Sequence, residues 1–295
     1  MDFTDAYESF LNYLDAKGYS ELTLVSYRQD ATCFRKFLAE NRVTQNVSVI
    51  DPRLIRQYIV WMKKAGYSPS TANRKINSLS SFLKYLVFDD ILDTNPMNKV
   101  DRIKKAKRIP AYLNVQEVKR LLNVVDNYKI STRLRDIALI RIFVYAGLRR
   151  SEVINLNWSD LDFHAKTILI RRGKGNKDRM VPMSAALSEC LWEYLNSRLP
   201  LKHPAVFLNR YLNRLTPNTL KRTLRRLRSK AGIEQNITPH VLRHTCASLL
   251  IQGTDIVTVK ELLGHEDIST TALYSHTNPS RMAEAVNSIA FSDMD

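Results

Sequence analysis

Glycine is scarce in this sequence: it occupies only 8 of 295 positions, against a usual share of about 7%. Most of these glycines follow an amphipathic run, at the place where a residue in the left-handed conformation ends a helix. The glycines in such places are Gly18, Gly66, Gly147, Gly232, Gly253 and Gly264. The pattern predicts a mainly helical protein.

Cysteines and long apolar runs are also few. The three cysteines are widely spaced and odd in number, which excludes a disulfide framework and fits a reducing cytosol. Apolar stretches are broken early, as by Arg141, so no segment is expected to span a bilayer. The first ten residues carry acids where a signal peptide carries bases, so export is not expected. These features predict a cytoplasmic protein.

Acidic residues are outnumbered, with 29 Asp and Glu against 45 Lys and Arg, which gives a net charge of +16. Such an excess calls for a polyanionic partner, with nucleic acid as the first candidate and an anionic membrane surface as the second. The composition is 44% hydrophobic and 25% charged. This is the composition of a globular protein, and it excludes disorder of the whole chain.

The charge is unevenly distributed and divides the chain. Residues 1–100 have a net charge of +2, whereas the remaining 195 residues have +14. Between them, residues 101–110 hold five bases and end in a proline, which is typical of an extended linker attracted to phosphates. We therefore predict a helical domain over 1–100, a basic linker over 101–111 and a larger domain over 112–295. The linker bases expected to contact DNA include Lys104, Lys105, Lys107 and Arg108.

Helical periodicity accounts for most of both domains. In the first it predicts helices over Phe3–Ala16, Leu22–Glu40, Pro52–Lys64 and from a cap at Ser68 or Ser70 to Phe88. Their aromatic stripes are interpreted as core and not as a surface for stacking nucleotides. In the second domain it predicts helices at about 114–126, 132–146, 150–156, 184–198, 217–231, 239–252, 255–263, 269–275 and 280–290. The exception is a β-hairpin, with strands over 167–171 and 179–183 around a turn with two glycines.

Two motifs place a base at a tight turn. Arg149 lies at the corner between two predicted helices, with Glu152 three residues later, and Lys174 lies in the hairpin turn. Alone, an arginine at a corner usually caps carbonyls or is solvated, and a lysine in a turn usually serves solubility. A phosphate-binding P-loop is excluded because neither its spacing nor the helix that follows it is present.

A third motif, at 238–244, predicts a helix start with polar side chains on one face. His240 and Arg243 are three residues apart, where the backbone N–H groups and the helix dipole favour an anion. His240 and His244 also have the spacing of a metal-binding pair, with Cys246 close by. The fourth motif spans 262–276 and includes His265, Tyr274 and His276. Two arginines, a lysine, histidines and a tyrosine in one basic domain call for a shared explanation.

Together these segments resemble the tyrosine recombinase (phage integrase) family, most closely its compact Xer-type members. The motifs that carry the resemblance, in order, are AGLRRSE at 146–152, GKGNKDR at 173–179, TPHVLRHTCAS at 238–248 and LLGHEDISTTALYSH at 262–276. The helical first half resembles the core-binding domain of that family. The resemblance implies a two-domain, mainly α fold with a small β-sheet.

The resemblance also implies catalytic roles. Tyr274 would attack a DNA phosphate to form a 3′-phosphotyrosyl link, and Arg149 and Arg243 would bind its non-bridging oxygens. Lys174 would protonate the leaving 5′-oxygen. The remaining members of the implied site are His240, which would assist proton transfer from Tyr274, His265, which would hydrogen-bond the phosphate, and Glu152, which would orient Arg149 and His240. The covalent step conserves the phosphodiester energy, so neither ATP nor a metal is implied.

The predicted DNA contacts continue along a basic helix. Residues 221–230 hold six bases, and its apolar stripe leaves four of them outward: Arg222, Arg225, Arg226 and Lys230. The resemblance implies double-stranded DNA with an inverted-repeat core site as the partner, a dimer on one site and a tetramer on two, joined by a C-terminal helix over 279–291. Accessory proteins or a paralogue are further possible partners. Because DNA is the expected partner, we expect the protein in the cytoplasm, associated with the nucleoid. An anionic membrane surface is no longer needed to explain the positive charge.

Three other functions are alternatives to a recombinase. A type IB topoisomerase would share the tyrosine and the cationic residues. A non-catalytic DNA-binding protein would explain the charge but not the coincidence of the motifs. A zinc-dependent nuclease would use His240, His244 and Cys246 but would leave the Arg and Lys motifs unexplained.

Overall fold

The computed structural model describes residues 1–101, 103–104, 111–128, 130–171, 178–251 and 254–263. The chain divides into two compact units, Met1–Arg108 and Ile109–Asp295. No described helix is long and apolar enough to cross a membrane.

The first unit contains the helices expected from its periodicity. They are α1 (Phe3–Ala16), α2 (Glu21–Glu40), α3 (Pro52–Lys64) and α4 (Pro69–Phe88). Each begins after a residue whose side-chain oxygen accepts a backbone N–H of the first turn, and these caps are Asp2, Ser20, Asp51 and Ser68. Because a cap satisfies an otherwise unpaired N–H group, it fixes where the helix starts.

Aromatic side chains fill the core of the first unit, as predicted. Phe82 lies at its centre, with ring-centroid distances of 5.3 Å to Phe3 and 4.7 Å to Tyr7. Phe3, Phe10 and Phe82 are fully buried. Aromatic pairs in edge-on and tilted contacts add about 0.5–1.5 kcal/mol each beyond the burial of their apolar surface.

The second unit is built around one helix that is almost entirely buried. Its helices are α5 (Val115–Asn127), α6 (Arg133–Tyr145), α7 (Arg150–Asn155), α8 (Ala185–Asn196), α9 (Pro217–Lys230), α10 (Pro239–Ile251) and α11 (Ile256–Leu263). Helix α6 packs against α5, α8 and α10. Because neighbours cover it on several sides, almost every residue of α6 is buried, including Arg135 and Asp136.

The second unit also contains a small antiparallel sheet. The predicted hairpin is present as β2 (Thr167–Ile170) and β3 (Arg179–Pro182), and a third strand, β1 (Leu161–Asp162), pairs with β2. Ile168 and Val181 face each other in the register and are both fully buried. The register also pairs Ile170 with Arg179. Strand β1 was not predicted because two residues carry no periodicity.

Within the described part of the chain, the helix-ending role of glycine is seen at Gly18, Gly66, Gly147 and Gly232, which all have positive φ. Gly253 and Gly264, and the helices predicted at 269–275 and 280–290, lie outside the described residues. The mainly helical, two-domain fold expected from the motifs is therefore confirmed.

Candidate active site

The corner between α6 and α7 places Arg149 and Glu152 side by side. Gly147 ends α6 with φ of 58°, and Arg149 then becomes the residue that precedes the first turn of α7. The Glu152 carboxylate accepts the backbone N–H of Arg149 at 2.7 Å and its side-chain Nη1 at 2.9 Å. A carboxylate here satisfies an unpaired N–H group and lies at the favourable end of the helix dipole.

Glu152 has a second cationic partner that the sequence did not assign to the site. Arg179, the first residue of β3, donates from Nη1 to Oε1 at 2.7 Å and from Nη2 to Oε2 at 3.0 Å. The Glu152 side chain is only 5% exposed. Burial alone would raise its pKa, but the bonds from Arg179 and from the backbone and side chain of Arg149 outweigh burial and lower the pKa to about 2.

The expected contact between Glu152 and His240 is not made. Each carboxylate oxygen of Glu152 accepts two hydrogen bonds, one from Arg149 and one from Arg179. A carboxylate offers about four acceptor positions, so this set fills it. Among the described residues, the hydrogen bonds of Glu152 thus go to Arg149 and Arg179 and not to His240.

Arg243 is a buried cation that joins three segments of the second unit. It lies on α10, is 6% exposed, and donates from Nη1 to the carbonyl oxygen of Gly147 at 2.6 Å. Its Nη2 donates to the carbonyl oxygen of Leu263 at the end of α11. Burial, followed by repulsion from Arg149, lowers its pKa to about 10, which still leaves the guanidinium charged at neutral pH.

His240 lies in the first turn of α10, where the sequence predicted it. The Oγ1 of Thr238 accepts the N–H of Val241 at 3.1 Å, so Thr238 caps the helix as expected. The Nε2 atoms of His240 and His244 are 3.1 Å apart, and the rings meet edge to face. Burial, then the neighbouring His240 and Arg243, lower the pKa of His244.

Arg149, His240 and Arg243 line one open pocket of about 580 Å³. Thr238 and Ser151 add hydroxyl groups to its wall. Two guanidinium groups and an imidazole beside a helix start form a site for an anion with several oxygens, since guanidinium donates to such groups in pairs. The structure thus brings together three of the predicted catalytic residues, and Glu152 supports one of them.

The other predicted catalytic residues, Lys174, His265 and Tyr274, lie outside the described residues. The strands on either side of the Lys174 turn are described, and so is α11, which ends two positions before His265. Within the described residues, no group of three or more His, Cys, Asp or Glu side chains could hold a metal ion. Cys246, the third residue of the zinc alternative, is completely buried.

The basic helix α9 has the orientation predicted from its apolar stripe, with one exception. Leu220, Leu224 and Leu227 are buried, whereas Arg222 and Arg225 are exposed. Lys230 is also exposed and lies with its ammonium 5.3 Å from the ring centroid of Tyr128. On the linker side, Lys104 is exposed, and Lys105, Lys107 and Arg108 lie outside the described residues.

Arg226 is the exception on α9, because its side chain turns inward. It is 31% exposed and donates to Oδ2 of Asp136, a residue of α6 whose own side chain is 2% exposed. The other oxygen of Asp136 accepts Arg135 Nε at 2.9 Å and Nη2 at 2.7 Å. The expectation that Arg226 points outward is therefore wrong, since this buried carboxylate binds it.

Known proteins match the chain in both units. The model of the phage integrase family matches residues 111–281, and that of the phage integrase N-terminal SAM-like domain matches residues 7–89. The tyrosine recombinase XerC of Listeria welshimeri is 37% identical over 279 residues, which cover 91% of this chain and 92% of that protein.

A second relative and a solved structure extend the similarity over nearly the whole chain. The tyrosine recombinase XerD of Listeria innocua is 34% identical over 289 residues, 95% of this chain and 96% of that protein. A crystal structure of the XerH site-specific recombinase, bound to palindromic difH substrate in a post-cleavage complex, superposes with a TM-score of 0.71 at 26% identity. That match covers 92% of this chain and 80% of the XerH chain. The chain therefore belongs to the phage integrase family, as a tyrosine recombinase similar to the Xer enzymes.

Proposed function

We propose that the chain is a site-specific recombinase that cleaves and rejoins DNA through a 3′-phosphotyrosyl intermediate. The observation that carries this proposal is the pocket shared by Arg149, His240 and Arg243. A scissile phosphate seated there would place its non-bridging oxygens against two guanidinium groups. These groups compensate the charge that builds up in the pentacovalent transition state, and electrostatic stabilisation of this kind commonly contributes more to the rate than any other single effect.

The remaining steps are assigned to residues by their motifs. The Tyr274 oxygen attacks the phosphorus and the bond to the 5′-oxygen breaks, while Lys174 gives a proton to that oxygen and releases a 5′-hydroxyl. A phenol has a pKa near 10, so His240 assists by accepting the proton of Tyr274. His265 hydrogen-bonds the phosphate. Attack by the 5′-hydroxyl of another strand on the phosphotyrosyl bond then rejoins DNA and frees Tyr274.

Exposed bases outside this pocket hold the duplex. Arg222, Arg225 and Lys230 lie on α9, and the exposed Arg210 and Arg222 line a second pocket of about 500 Å³ at the start of that helix. A dense row of cations suits phosphate contacts, which release counterions and make binding sensitive to salt. The duplex is also bound by the helical domain over 1–100 and by the basic linker over 101–111. The linker bases that contact it are Lys104, Lys105, Lys107 and Arg108.

The proposed substrate is a core site made of inverted repeats, as in the palindromic substrate of XerH. A palindrome presents two equivalent half-sites, so two protomers bind one site and four assemble when two sites meet. The apolar segment over 279–291 docks on a neighbouring protomer. The roles open to such a recombinase are resolution of chromosome or plasmid dimers, resolution of transposon cointegrates, and integration or excision of an element. Accessory proteins and a paralogue are candidate partners.

A nicked duplex carrying the site tests the proposal, with the site located beforehand by footprinting. Cleavage next to the nick releases a short fragment, so the covalent intermediate accumulates. We expect a protein–DNA band that survives SDS, forms in the presence of a chelator and is absent for Tyr274→Phe. Loss of the band in chelator, or its persistence in Tyr274→Phe, would contradict the mechanism.

Strand exchange separates a recombinase from a type IB topoisomerase. Two duplexes of different length that carry the site should yield products of new length, and Tyr274→Phe should yield none. Relaxation of supercoiled DNA without such products would favour the topoisomerase.

A further inference from the structure

Arg179 forms a bidentate ion pair with Glu152 beside the candidate active site. Its two Nη atoms meet the two oxygens of Glu152 in parallel, at 2.7 and 3.0 Å, and the two side chains are 17% and 5% exposed. A bidentate pair of this kind fixes both distance and orientation. Because Arg179 is paired with Ile170 in the sheet register, its backbone is itself held in place.

The same carboxylate also binds Arg149, so the three side chains form one cluster. Glu152 carries one negative charge between two guanidinium groups, and the cluster has a net charge of +1. Without Arg179, Glu152 would neutralise Arg149 and would be free to draw it away from the pocket. With Arg179 present, half of the carboxylate's hydrogen bonds go to Arg179 instead.

We propose that Arg179 is a positioning residue that keeps Arg149 in place and its charge available for the scissile phosphate. This inference rests on the proposed function. Arg179 does not touch the phosphate: it acts through Glu152, which it orients and whose charge it balances. The guanidinium of Arg149 then faces the pocket at a fixed position, which a phosphoryl-transfer transition state requires.

The test compares Arg179→Gln with Arg171→Gln. Arg171 follows β2 in the same hairpin and also binds a buried carboxylate, Asp160, at 2.7 Å, but this pair does not include Arg149 or Glu152. Covalent-complex formation on nicked DNA is measured under single-turnover conditions, with the DNA dissociation constant measured in parallel. We expect Arg179→Gln to slow cleavage by about 10- to 100-fold without a matching loss of affinity, and Arg171→Gln to stay within about 3-fold of the unsubstituted protein.

Modified DNA identifies which step Arg179 serves. A methylphosphonate at the cleavage position lacks one charged oxygen, so it needs less cationic assistance. A 5′-bridging phosphorothiolate has a thiol leaving group that departs without a proton. The cleavage defect of Arg179→Gln should shrink to about 3-fold or less on the methylphosphonate and persist on the phosphorothiolate. Rescue by the phosphorothiolate alone would overturn the proposal, since Arg179 would then serve leaving-group protonation.

Two further variants distinguish a specific effect of Arg179 on cleavage from a general folding defect. Arg179→Lys keeps the charge and should recover part of the cleavage rate lost in Arg179→Gln. If Arg179 acts only through Glu152, then adding Arg179→Gln to Glu152→Gln should slow cleavage no further. A normal cleavage rate for Arg179→Gln, or an additive loss in the double variant, would overturn the proposal. The covalent band of the unsubstituted protein tests the proposed function separately.

Discussion

Arg243 donates a hydrogen bond to the carbonyl oxygen of Gly147 at 2.6 Å, across a sequence separation of 96 residues. This bond ties α10 to the corner that presents Arg149. The corner leaves no room for a side chain, because a Cβ on Gly147 would lie 2.4 Å from Leu263 Cδ2 and 3.0 Å from Cys246 Sγ. Leu263 is the residue whose carbonyl Arg243 also binds. The backbone at Gly147 thus controls how closely the α6–α7 corner, α10 and the end of α11 approach one another.

Gly147→Ala should therefore damage both stability and cleavage. Its φ of 58° costs a residue with a Cβ about 1 kcal/mol or more, and the clash displaces Leu263 in addition. Thermal denaturation and the rate of covalent-complex formation check this. Gly232→Ala is the matched control: its φ is 60°, but nothing lies within 4 Å of the added Cβ. It should lower stability through similar backbone strain and leave the cleavage rate of the folded protein unchanged. Equal cleavage defects in the two variants would contradict the prediction.

Glu152 should make stability depend on acid pH. Its pKa is lowered from 4.5 to about 2 on folding, so its ion pairs stabilise the folded state fully above about pH 4.5. That contribution, about 3 kcal/mol as an upper limit, is lost as the pH falls from 4.5 towards 2. Urea denaturation at several pH values should show Glu152→Gln less stable at neutral pH and the difference shrinking over this range. The exposed Glu189→Gln provides the control, and a difference independent of pH would contradict the assignment.

The helices and the aromatic core were predictable because they depend on local information. Caps such as Ser68 and Asp51, and apolar side chains at helical spacing, define α1 to α4 to within a residue or two. The motif residues were identified for the same reason, since each of their segments is short and continuous.

The pairing of the charged residues was not predictable, because folding brings distant segments together. Arg179 and Glu152 are 27 residues apart, and Arg226 and Asp136 are 90 apart. Arg179 is the last residue of the GKGNKDR motif, and that position was the one signal for it. For Asp136 there was no comparable signal in the sequence, apart from its being a carboxylate within an apolar helix. A buried carboxylate must find cationic partners, and only the packing of α6 against its neighbours selects which ones.

His244 should titrate below the ordinary histidine pKa of 6.5, because burial, His240 and Arg243 all disfavour its charged form. NMR titration of the imidazole rings measures this directly. His240→Ala removes one of these causes and should raise the pKa of His244 part of the way towards 6.5, with burial and Arg243 accounting for what remains. The exposed His164 serves as the control, since His164→Ala should leave the pKa of His244 unchanged. A pKa of His244 that does not respond to His240→Ala would show that the 3.1 Å contact is not maintained in solution.

Two adjacent arginines of α9 should give opposite results when each is replaced by alanine. Arg225 is exposed, so Arg225→Ala should weaken DNA binding, reduce the slope of log K against log salt by about 1 and leave stability nearly unchanged. Arg226 binds the buried Asp136, so Arg226→Ala should lower the free energy of unfolding by about 1–3 kcal/mol. Its effect on DNA affinity should be smaller than that of Arg225→Ala when both are measured well below the melting temperature. Fluorescence anisotropy over a salt series and urea denaturation give the two quantities for each variant. A reduced salt slope in Arg226→Ala with unchanged stability would mean that Arg226 leaves Asp136 to contact phosphate, because the ion pair would then contribute nothing to the fold.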